Sequence, residues 1–323
     1  LRPLYTGISI IQSAKPSFSQ VTMSLFCWTF AFTLILGSVT AFLFDVINGP
    51  TSNNAEPPLR IGAMNVQVFG TAKLQHEIVR SVLPKILTRY DVVLVQEIRD
   101  STDSAFETLR HLMNEELKAK HVNDAYEKVV SDRLGRTNSK EQYGFLFRKS
   151  KVHLTGSYQY PDPGDIFERE PFVVHFSSPQ TVVADFAIAG IHTSPTHARD
   201  EIGNLTKVYD AIKHLWNLDN VIIMGDFNMD CSYVSHTASR LNPLRQDSRF
   251  VWLIGDGLDT TIGDETHCTY DRFVLGGTHL QHSVTPGSVH VFRFDEEWHI
   301  PKDQAKLISD HYPIEFAIQG KPK

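Results

Sequence analysis

The segment VIIMGDFNMDCSYV (residues 221–234) starts with apolar residues and continues through Asp226, Asn228 and Cys231. A short apolar run that ends at polar residues is typical of a buried strand. The carboxylate of Asp226 and the amide of Asn228 lie two residues apart at the end of this predicted strand. The segment therefore predicts a buried strand whose end presents two polar groups to a cleft.

Other apolar runs along the chain also end in a polar residue. Asn65 follows IGAM, Glu97 follows VVLVQ and His192 follows FAIAGI, while Asp310 and His311 precede the final apolar run. An isolated Asp after a strand is more often a turn former, so each residue alone is a weak signal. We expect these strand ends to share one sheet edge, where the polar side chains would line a single cleft.

This set of residues favours hydrolysis of a phosphate ester. Carboxylate and amide oxygens are ligands for hard divalent cations, and histidines provide acid and base groups. The sequence has no Cys/His cluster with the spacing of a zinc site. It also lacks the Gly-x-Ser-x-Gly motif of a serine hydrolase.

The composition indicates a globular protein. The chain has 323 residues, of which 41% are hydrophobic and 21% charged, and its net charge is −6. Such a chain can bury a large core. The acidic balance argues against binding to nucleic acid or membrane by bulk positive charge, so a polyanionic substrate would be met by local Arg, Lys or metal ions.

Strand-like and helix-like segments are mixed through the chain, and the strand-like ones are more numerous. Helical spacing occurs at 74–87, where Leu74, Ile78, Val82 and Ile86 lie four apart and Pro84 predicts a kink, after Asp100, and at 200–216. This pattern predicts an α+β fold with two packed sheets flanked by helices, and not a parallel βα barrel.

The apolar segment 23–44 predicts a signal peptide over 23–41, with small residues at Val39 and Ala41 before the cleavage point. A membrane anchor of similar length is the alternative. Residues 1–22 are predicted to be untranslated sequence ahead of a start at Met23.

The polar, Pro- and Asn-containing stretch 42–58 is predicted to be a linker, and 59–320 a single catalytic domain. The predicted localisation is secreted, through the endoplasmic reticulum. Cys27 would be removed with the signal peptide, which leaves Cys231 and Cys268. In an oxidising compartment these two cysteines are expected to pair, with two buried free thiols as the alternative.

Several blocks of the chain resemble secreted deoxyribonuclease I and its paralogues, in the same order and over about 59–318. This resemblance implies the endonuclease/exonuclease/phosphatase fold, a four-layer sandwich of two mixed β-sheets between helices. The blocks are VVLVQEIRDS (92–101), LGR (134–136), KEQYGFLFR (140–148), FEREPFVVHFS (167–177), GDFNMDCSYV (225–234), HCTYDRFVL (267–275) and ISDHYPIEF (308–316).

The resemblance also implies an activity: a metal-dependent endonuclease that cleaves DNA with little sequence preference and leaves 5′-phosphate ends. The implied catalytic residues are the pairs Glu141 with His192 and Asp271 with His311. The implied metal ligands are Glu97, Asn65 and Asp310, and the implied phosphate-binding and supporting residues are Asp226, Asn228 and Asn65. The implied DNA contacts are Arg99, Arg136 and Arg169.

The implied cofactors are Mg²⁺, which Mn²⁺ could replace, and Ca²⁺. The expectation that Ca²⁺ is needed is less firm than that for Mg²⁺, because the loop 161–167 lacks the cysteines of the family's small second disulfide. Ser139 stands where the digestive member of the family has a Tyr that stacks on deoxyribose. We therefore expect weaker contact with the minor groove and lower activity on duplex DNA.

The expected partner is DNA, and the expected state is a monomer. Lys128 stands where the actin-binding member has an aromatic residue, so actin binding is not expected. Only QGKPK follows Ile318, so no lipid-anchor tail is expected. The motif NLT at Asn204 permits N-glycosylation, although its place in a predicted helix leaves an unused motif as the alternative.

Two other functions were weighed. A different phosphodiesterase of the same superfamily, such as a sphingomyelinase, would need an apolar membrane-facing loop, which the sequence does not show. An inactive binding module that keeps the fold would have lost catalytic positions, whereas every position that matches the family's catalytic pattern is retained.

Overall fold

The computed structural model describes residues 55–323. The predicted untranslated sequence, the predicted signal peptide with Cys27, and residues 42–54 of the predicted linker lie outside the described residues. Within the described part of the chain, no helix combines the length and apolar character needed to cross a membrane. The first strand among the described residues starts at Leu59.

The described residues contain strands that form two six-stranded sheets. The strands are β1 (Leu59–Phe69), β2 (Val92–Ile98), β3 (Tyr126–Val130), β4 (Gln142–Arg148), β5 (His153–Gln159), β6 (Phe172–Ser177), β7 (Asp185–His192), β8 (Val221–Asp226), β9 (Phe250–Trp252), β10 (Asp271–Gly276), β11 (His290–Val291) and β12 (Ile314–Ile318).

Each sheet is mixed. The first sheet has the order β11-β12-β1-β2-β4-β3, and the second has the order β5-β6-β7-β8-β10-β9. The only parallel pairs among these strands are β1 with β2 and β7 with β8, near the centre of each sheet. Parallel neighbours end at the same edge, so each sheet brings two carboxyl-terminal strand ends together.

The helices connect and cover the sheets. They are α1 (Thr71–Leu74), α2 (Glu77–Leu87), α3 (Ser104–Ala119), α4 (Ala198–Trp216), α5 (His236–Arg240), α6 (Pro243–Gln246), α7 (Thr278–His282), α8 (Phe294–Glu297) and α9 (Lys302–Ile308).

Three apolar clusters pack the two sheets against each other and against the helices that cover them. Strand β2 shows why: Leu94 faces the second sheet in one cluster, whereas Val93 and Val95 face α2, α3 and α9 in another. Alternate side chains of a strand point to opposite faces, so a strand buried on both faces has a continuous apolar run. The third cluster joins the second sheet to α4 through residues such as Ile223 and Ile202. The predicted sandwich of two sheets between helices is confirmed.

The segment 74–87 differs from the prediction. Leu74 ends the short helix α1, and the extended backbone of His76 separates it from α2. The buried face of α2 contains Val79, Val82, Leu83, Pro84, Ile86 and Leu87, whereas Ile78 is half-buried. The buried stripe follows spacings of three and four, as packing of a helix on a sheet requires, and not a constant spacing of four.

Three strands carry no clear signal in the sequence. Strand β5 is polar and largely exposed, and β9 and β11 contain only three and two residues. Each of the three lies at an edge of its sheet, where one side of the backbone lacks a neighbouring strand. Edge strands are often short or polar, which limits unwanted pairing with other chains.

The predicted disulfide is present between Cys231 and Cys268, whose Cα atoms are 5.8 Å apart. It closes a loop over a sequence separation of 37 residues. On the chain-entropy model, a bond that closes a loop of this length stabilises the fold by about 4 kcal/mol. The loop begins just after Asp226 and ends just before Asp271, so the bond also limits the separation of two site residues.

We expect the mature native protein to have no titratable thiol and to inactivate faster on heating when a reductant is present. The physical reason is that reduction restores the freedom of the unfolded loop. Thiol titration after unfolding without reductant checks the first statement, and residual activity after heating checks the second. Two titratable thiols in the mature chain would contradict the disulfide.

Candidate active site

The candidate site lies where both sheets end. Asn65 of β1 and Glu97 of β2 belong to the first sheet, whereas His192 of β7 and Asp226 of β8 belong to the second. The Nδ2 atom of Asn65 donates to Oδ2 of Asp226 at 3.2 Å and so connects the sheets. The expectation that these residues share the edge of one sheet was wrong, because two packed sheets place their central strand ends side by side.

The first histidine is held by a buried carboxylate. The Nδ1 atom of His192 lies 2.9 Å from Oε2 of Glu141, and the backbone N–H of His192 donates to the hydroxyl of Tyr143 at 2.8 Å. Oε1 of Glu141 accepts hydrogen bonds from Arg99 at 2.8 Å and from Arg169 at 3.1 Å. The carboxylate is therefore fixed by three positively charged or polar neighbours.

These contacts shift the pKa values of the first pair. Burial would raise the pKa of Glu141, but the hydrogen bond from His192 and the charges of His192, Arg169 and Arg99 lower it overall. Burial would lower the pKa of His192, but Glu141 and Asp226 raise it overall, against the opposing charge of Arg169. The pair therefore favours an ionised carboxylate beside a basic imidazole.

The second histidine is paired with a carboxylate in the same way. The Nδ1 atom of His311 lies 2.8 Å from Oδ2 of Asp271, and the backbone N–H of His311 donates to Oγ of Ser309 at 3.0 Å. Asp271 is fully buried. Within the described residues, His311 is the one ion-pair partner of this carboxylate.

Burial and charge also act on the second pair. Burial would lower the pKa of His311, but the carboxylates of Asp271 and Asp226 raise it to about 10. Burial raises the pKa of Asp271, and His311 opposes this effect. The two carboxylates therefore differ in their ion-pair partners. Glu141 is paired with two arginines as well as with its histidine, whereas among the described residues Asp271 is paired with His311 alone.

Both imidazoles point towards one carboxylate. The Nε2 atom of His192 lies 3.6 Å from Oδ2 of Asp226, and the Nε2 atom of His311 lies 3.7 Å from the same oxygen. Since each Nδ1 contacts its own carboxylate, both Nε2 atoms are directed to a common point beside Asp226. Two proton-transfer groups that flank one position can act on opposite sides of a single reacting centre.

Asp226 and Asn228 are held by the chain between and around them. The backbone N–H of Asn228 donates to Oδ1 of Asp226 at 3.0 Å, and Nδ2 of Asn228 donates to the carbonyl of Thr193 at 3.1 Å. The ring of Phe227 is fully buried and lies edge-on to Trp252, with the ring centroids 5.6 Å apart. The buried ring therefore anchors the turn that carries both polar residues.

Glu97 and Asp310 present oxygen atoms on the other side of the site. Oε1 of Glu97 accepts from Asn65 at 3.0 Å, and its Oε2 accepts from the backbone N–H of Val68 at 2.8 Å. Oδ2 of Asp310 accepts from Gln67 at 2.8 Å, whereas its buried Oδ1 has no hydrogen-bond partner among residues 55–323. Glu97 has a positive φ of 58°, a strained backbone conformation that is often found at functional sites.

These residues fit a hard cation that keeps part of its water shell. No group of three or more His, Cys, Asp or Glu residues in 55–323 is arranged to hold a metal by itself. Mg²⁺ usually retains several waters and binds through one or two carboxylates. The carboxylates of Glu97 and Asp310 and the amide of Asn65 match that requirement, and such oxygen donors favour a hard metal over a soft one.

The three arginines that were predicted to contact DNA have different surroundings. Arg99 and Arg169 both bind Glu141, and Arg99 also donates to Ser139 at 3.1 Å. Arg136 is more exposed and pairs with Asp165 at 3.1 Å. The role of Arg99 and Arg169 in holding Glu141 was not predicted from the sequence, and contact of the three arginines with DNA stays a prediction.

Other supporting residues were also missed. Tyr143 and Ser309 lie in the same sequence blocks as Glu141 and Asp310, so their position was a usable signal. Thr260 gave no signal, because it lies in a separate loop. Its hydroxyl accepts from the backbone N–H groups of Tyr270 and Asp271, both at 3.1 Å.

Two surface expectations stay predictions. Asn204 is half-buried on α4, and its Nδ2 donates to the carbonyl of Asp200 at 2.8 Å, so glycosylation would have to replace this contact. Lys128 on edge strand β3 forms ion pairs with Asp103 and Glu107. This paired lysine lies on the strand for which actin binding was considered and not expected.

We expect Glu141→Gln and Asp271→Asn to lower the rate of phosphodiester cleavage by about 10²-fold, because a neutral amide no longer supports a protonated imidazole. Each carboxylate raises the pKa of its histidine, so one limb of the pH–rate profile should move to lower pH. Rates measured from pH 5 to 10 check this. The exposed Asp303→Asn is the control, and unchanged profiles in both variants would contradict the pairing.

The chain is similar to known nucleases in sequence and fold. The model of the endonuclease/exonuclease/phosphatase family matches residues 63–311. Human deoxyribonuclease gamma is 43% identical over 266 residues, 81% of this chain and 86% of the relative. Bovine deoxyribonuclease-1 is 43% identical over 265 residues, 80% of this chain and 92% of the relative. An endonuclease/exonuclease/phosphatase family protein from Leptotrichia buccalis C-1013-b has a TM-score of 0.57 at 16% identity, covering 80% of this chain and 99% of that one.

The likeness to the bacterial structure establishes the fold alone. The two curated relatives go further, because each is 43% identical and is matched over most of its length. The chain therefore belongs to the endonuclease/exonuclease/phosphatase family and, within it, to the deoxyribonuclease I family.

Proposed function

We propose that this protein is a secreted, divalent-metal-dependent endodeoxyribonuclease that hydrolyses DNA phosphodiester bonds and leaves 5′-phosphate ends. The observation that carries the proposal is the convergence of two carboxylate-paired imidazoles on Asp226, at 3.6 and 3.7 Å. The names of the relatives, deoxyribonuclease gamma and deoxyribonuclease-1, support DNA as the substrate.

The scissile phosphate would lie between the two imidazoles, beside Asp226 and Asn228. The amide of Asn228 is buried and held by Thr193, so it is oriented before substrate arrives. A group that is already oriented stabilises developing charge without reorganising during the reaction. Arg136, the most exposed of the three arginines, would contact the minor groove of the DNA after leaving Asp165.

Proton transfer would use both histidines. One Nε2 atom removes a proton from water as it attacks phosphorus in line, and the other Nε2 gives a proton to the departing 3′ oxygen. Glu141 and Asp271 hold the opposite ring nitrogens at 2.9 and 2.8 Å, which orients both rings and stabilises their protonated forms. Breaking the bond at the 3′ oxygen leaves the phosphate on the 5′ side.

Glu97, Asp310 and Asn65 would hold the divalent cation. When bound, the cation would offset negative charge on the phosphoryl oxygens. We propose Mg²⁺ as this ion, with Mn²⁺ able to replace it, because the donors are oxygens. Ca²⁺ as a second, modulating ion is proposed from the family alone.

Secretion and a monomeric state are part of the proposal. The disulfide between Cys231 and Cys268 supports an oxidising compartment, where such bonds persist. On edge strand β3, Lys128 is paired with Asp103 and Glu107. That actin does not bind is proposed from the family comparison alone.

A plasmid-nicking assay tests the function. With Mg²⁺ we expect supercoiled DNA to become nicked and then linear, and with excess EDTA we expect no cleavage, because the proposed cation is removed. The products should be substrates for ligation after nicking, which requires 5′-phosphate and 3′-hydroxyl ends. Cleavage that continues in EDTA, or products with 3′-phosphate ends, would contradict the proposal.

A further inference from the structure

A buried carboxyl lies behind the His192 half of the site and has no role in the mechanism above. Glu201 is in the first turn of α4 and is fully buried. Its Oε1 accepts from the backbone N–H of Ser194 at 3.2 Å, and its Oε2 has no hydrogen-bond partner among the described residues. A buried carboxyl with an unpartnered oxygen is costly, so its presence here needs an explanation.

The segment that Glu201 holds leads directly to the site. Ser194 lies two residues after His192, and the intervening Thr193 accepts from Asn228 and donates to the carbonyl of Phe227 at 2.7 Å. The contact of Glu201 with Ser194 therefore fixes the chain that connects one catalytic pair to the phosphate-binding turn.

Charged groups from other elements also face Glu201. Arg169 lowers the pKa of this carboxyl, whereas the negative charge of Glu168 raises it. Arg169 also donates to the carbonyl of His192 at 3.2 Å and binds Glu141. The charge of Glu201 also raises the pKa values of Tyr143 and Arg136. Glu201 thus has two routes to His192, through Ser194 and through Arg169.

We propose that Glu201 is a positioning residue for the His192 half of the nuclease site and that the proton it binds or releases makes this positioning depend on pH. The inference rests on the proposed nuclease function. The ionised carboxylate accepts the Ser194 hydrogen bond more strongly than the neutral acid does, because charge-assisted hydrogen bonds are stronger. The site is therefore better ordered when Glu201 is ionised.

The Glu201 carboxyl gains and loses its proton near neutral pH. Burial raises the pKa of Glu201 to about 7, although the backbone hydrogen bond from Ser194 and the charge of Arg169 oppose the shift. The folded protein thus binds this proton more tightly than the unfolded chain does. Stability contributed by this group is greatest at low pH and falls as pH rises from the ordinary carboxyl range to about 7, whereas the order of the site increases.

Glu201→Gln tests the inference, because the amide keeps an acceptor for Ser194 and resembles the neutral acid permanently. We expect wild type and this variant to nick DNA at similar rates at pH 6. At pH 8 we expect the wild-type kcat to be about fivefold higher, from the difference between a charged and a neutral hydrogen-bond acceptor. Asp200→Asn, an exposed neighbour that removes the same charge, is the control and should follow the wild type.

Unfolding gives a second readout that does not depend on activity. We compare the thermal unfolding midpoint of the wild type with that of Glu201→Gln at each pH. This difference should decrease as the pH is raised from about 4.5 to 7 and then stay constant, as expected for an acid whose pKa is raised by folding. If the variant does not fold, NMR of the wild type replaces it, and the His192 ring resonances should change with the ionisation of the Glu201 carboxyl.

The outcomes separate the two proposals. A wild type that nicks DNA while the ratio of wild-type to Glu201→Gln rates stays constant from pH 6 to 8 would overturn the role of Glu201. A wild type that nicks no DNA at any pH would overturn the nuclease function, and the unfolding midpoints would still show whether Glu201 titrates near neutrality.

Discussion

His192→Ala and His311→Ala should each remove most of the nicking activity while the fold remains intact. Each substitution deletes a group that transfers a proton in the transition state, which typically contributes about 10²- to 10⁴-fold to the rate. Both imidazoles are buried, but neither belongs to the three apolar clusters, so we expect the packing of the sheets to survive their loss.

Kinetics of plasmid nicking and thermal unfolding together check this result. His111→Ala is the matched control, because its side chain is 67% exposed on α3, where it faces Glu115. We expect the control to keep wild-type activity. Near-normal cleavage by either His192→Ala or His311→Ala would mean that the two-histidine mechanism is wrong, and a large loss of stability would mean that the histidines act structurally.

The fold was largely predictable because its central strands are buried on both faces. Such strands have continuous apolar runs, as at 92–95 and 221–224, and these runs are visible without any knowledge of neighbours. Strands β9 and β11 depend on pairing with β10 and β12 instead. Pairing between distant segments leaves no local pattern, and these strands were missed for that reason.

The residues of the candidate site also fall into two groups, those that the local sequence pattern predicted and those that depend on contacts between distant segments. The polar residues that follow apolar runs were visible locally, and the family blocks paired each histidine with a carboxylate. The contact of Arg169 with Glu141 and the burial of Glu201 arise only when distant loops meet. Sequence reasoning therefore found the groups that carry the chemistry more readily than the groups that orient them.

Asp226→Asn should have an effect as large as the loss of a histidine, because this carboxylate faces both imidazoles. Its Oδ1 accepts from the backbone N–H of Asn228, and its Oδ2 accepts from Asn65. An asparagine has one acceptor oxygen, so one of these two buried donors loses its partner. The change also removes the charge that raises the pKa of both His192 and His311.

We therefore expect Asp226→Asn to lower the nicking rate by about 10²-fold or more, as for loss of a preoriented electrostatic group. NMR titration should show the pKa values of both His192 and His311 shifted downwards, whereas Asp271→Asn should shift mainly that of His311. This pattern follows because Asp226 faces both rings at 3.6 and 3.7 Å, and Asp271 binds only one. A shift confined to one histidine in Asp226→Asn would show that the two imidazoles do not share this carboxylate in solution.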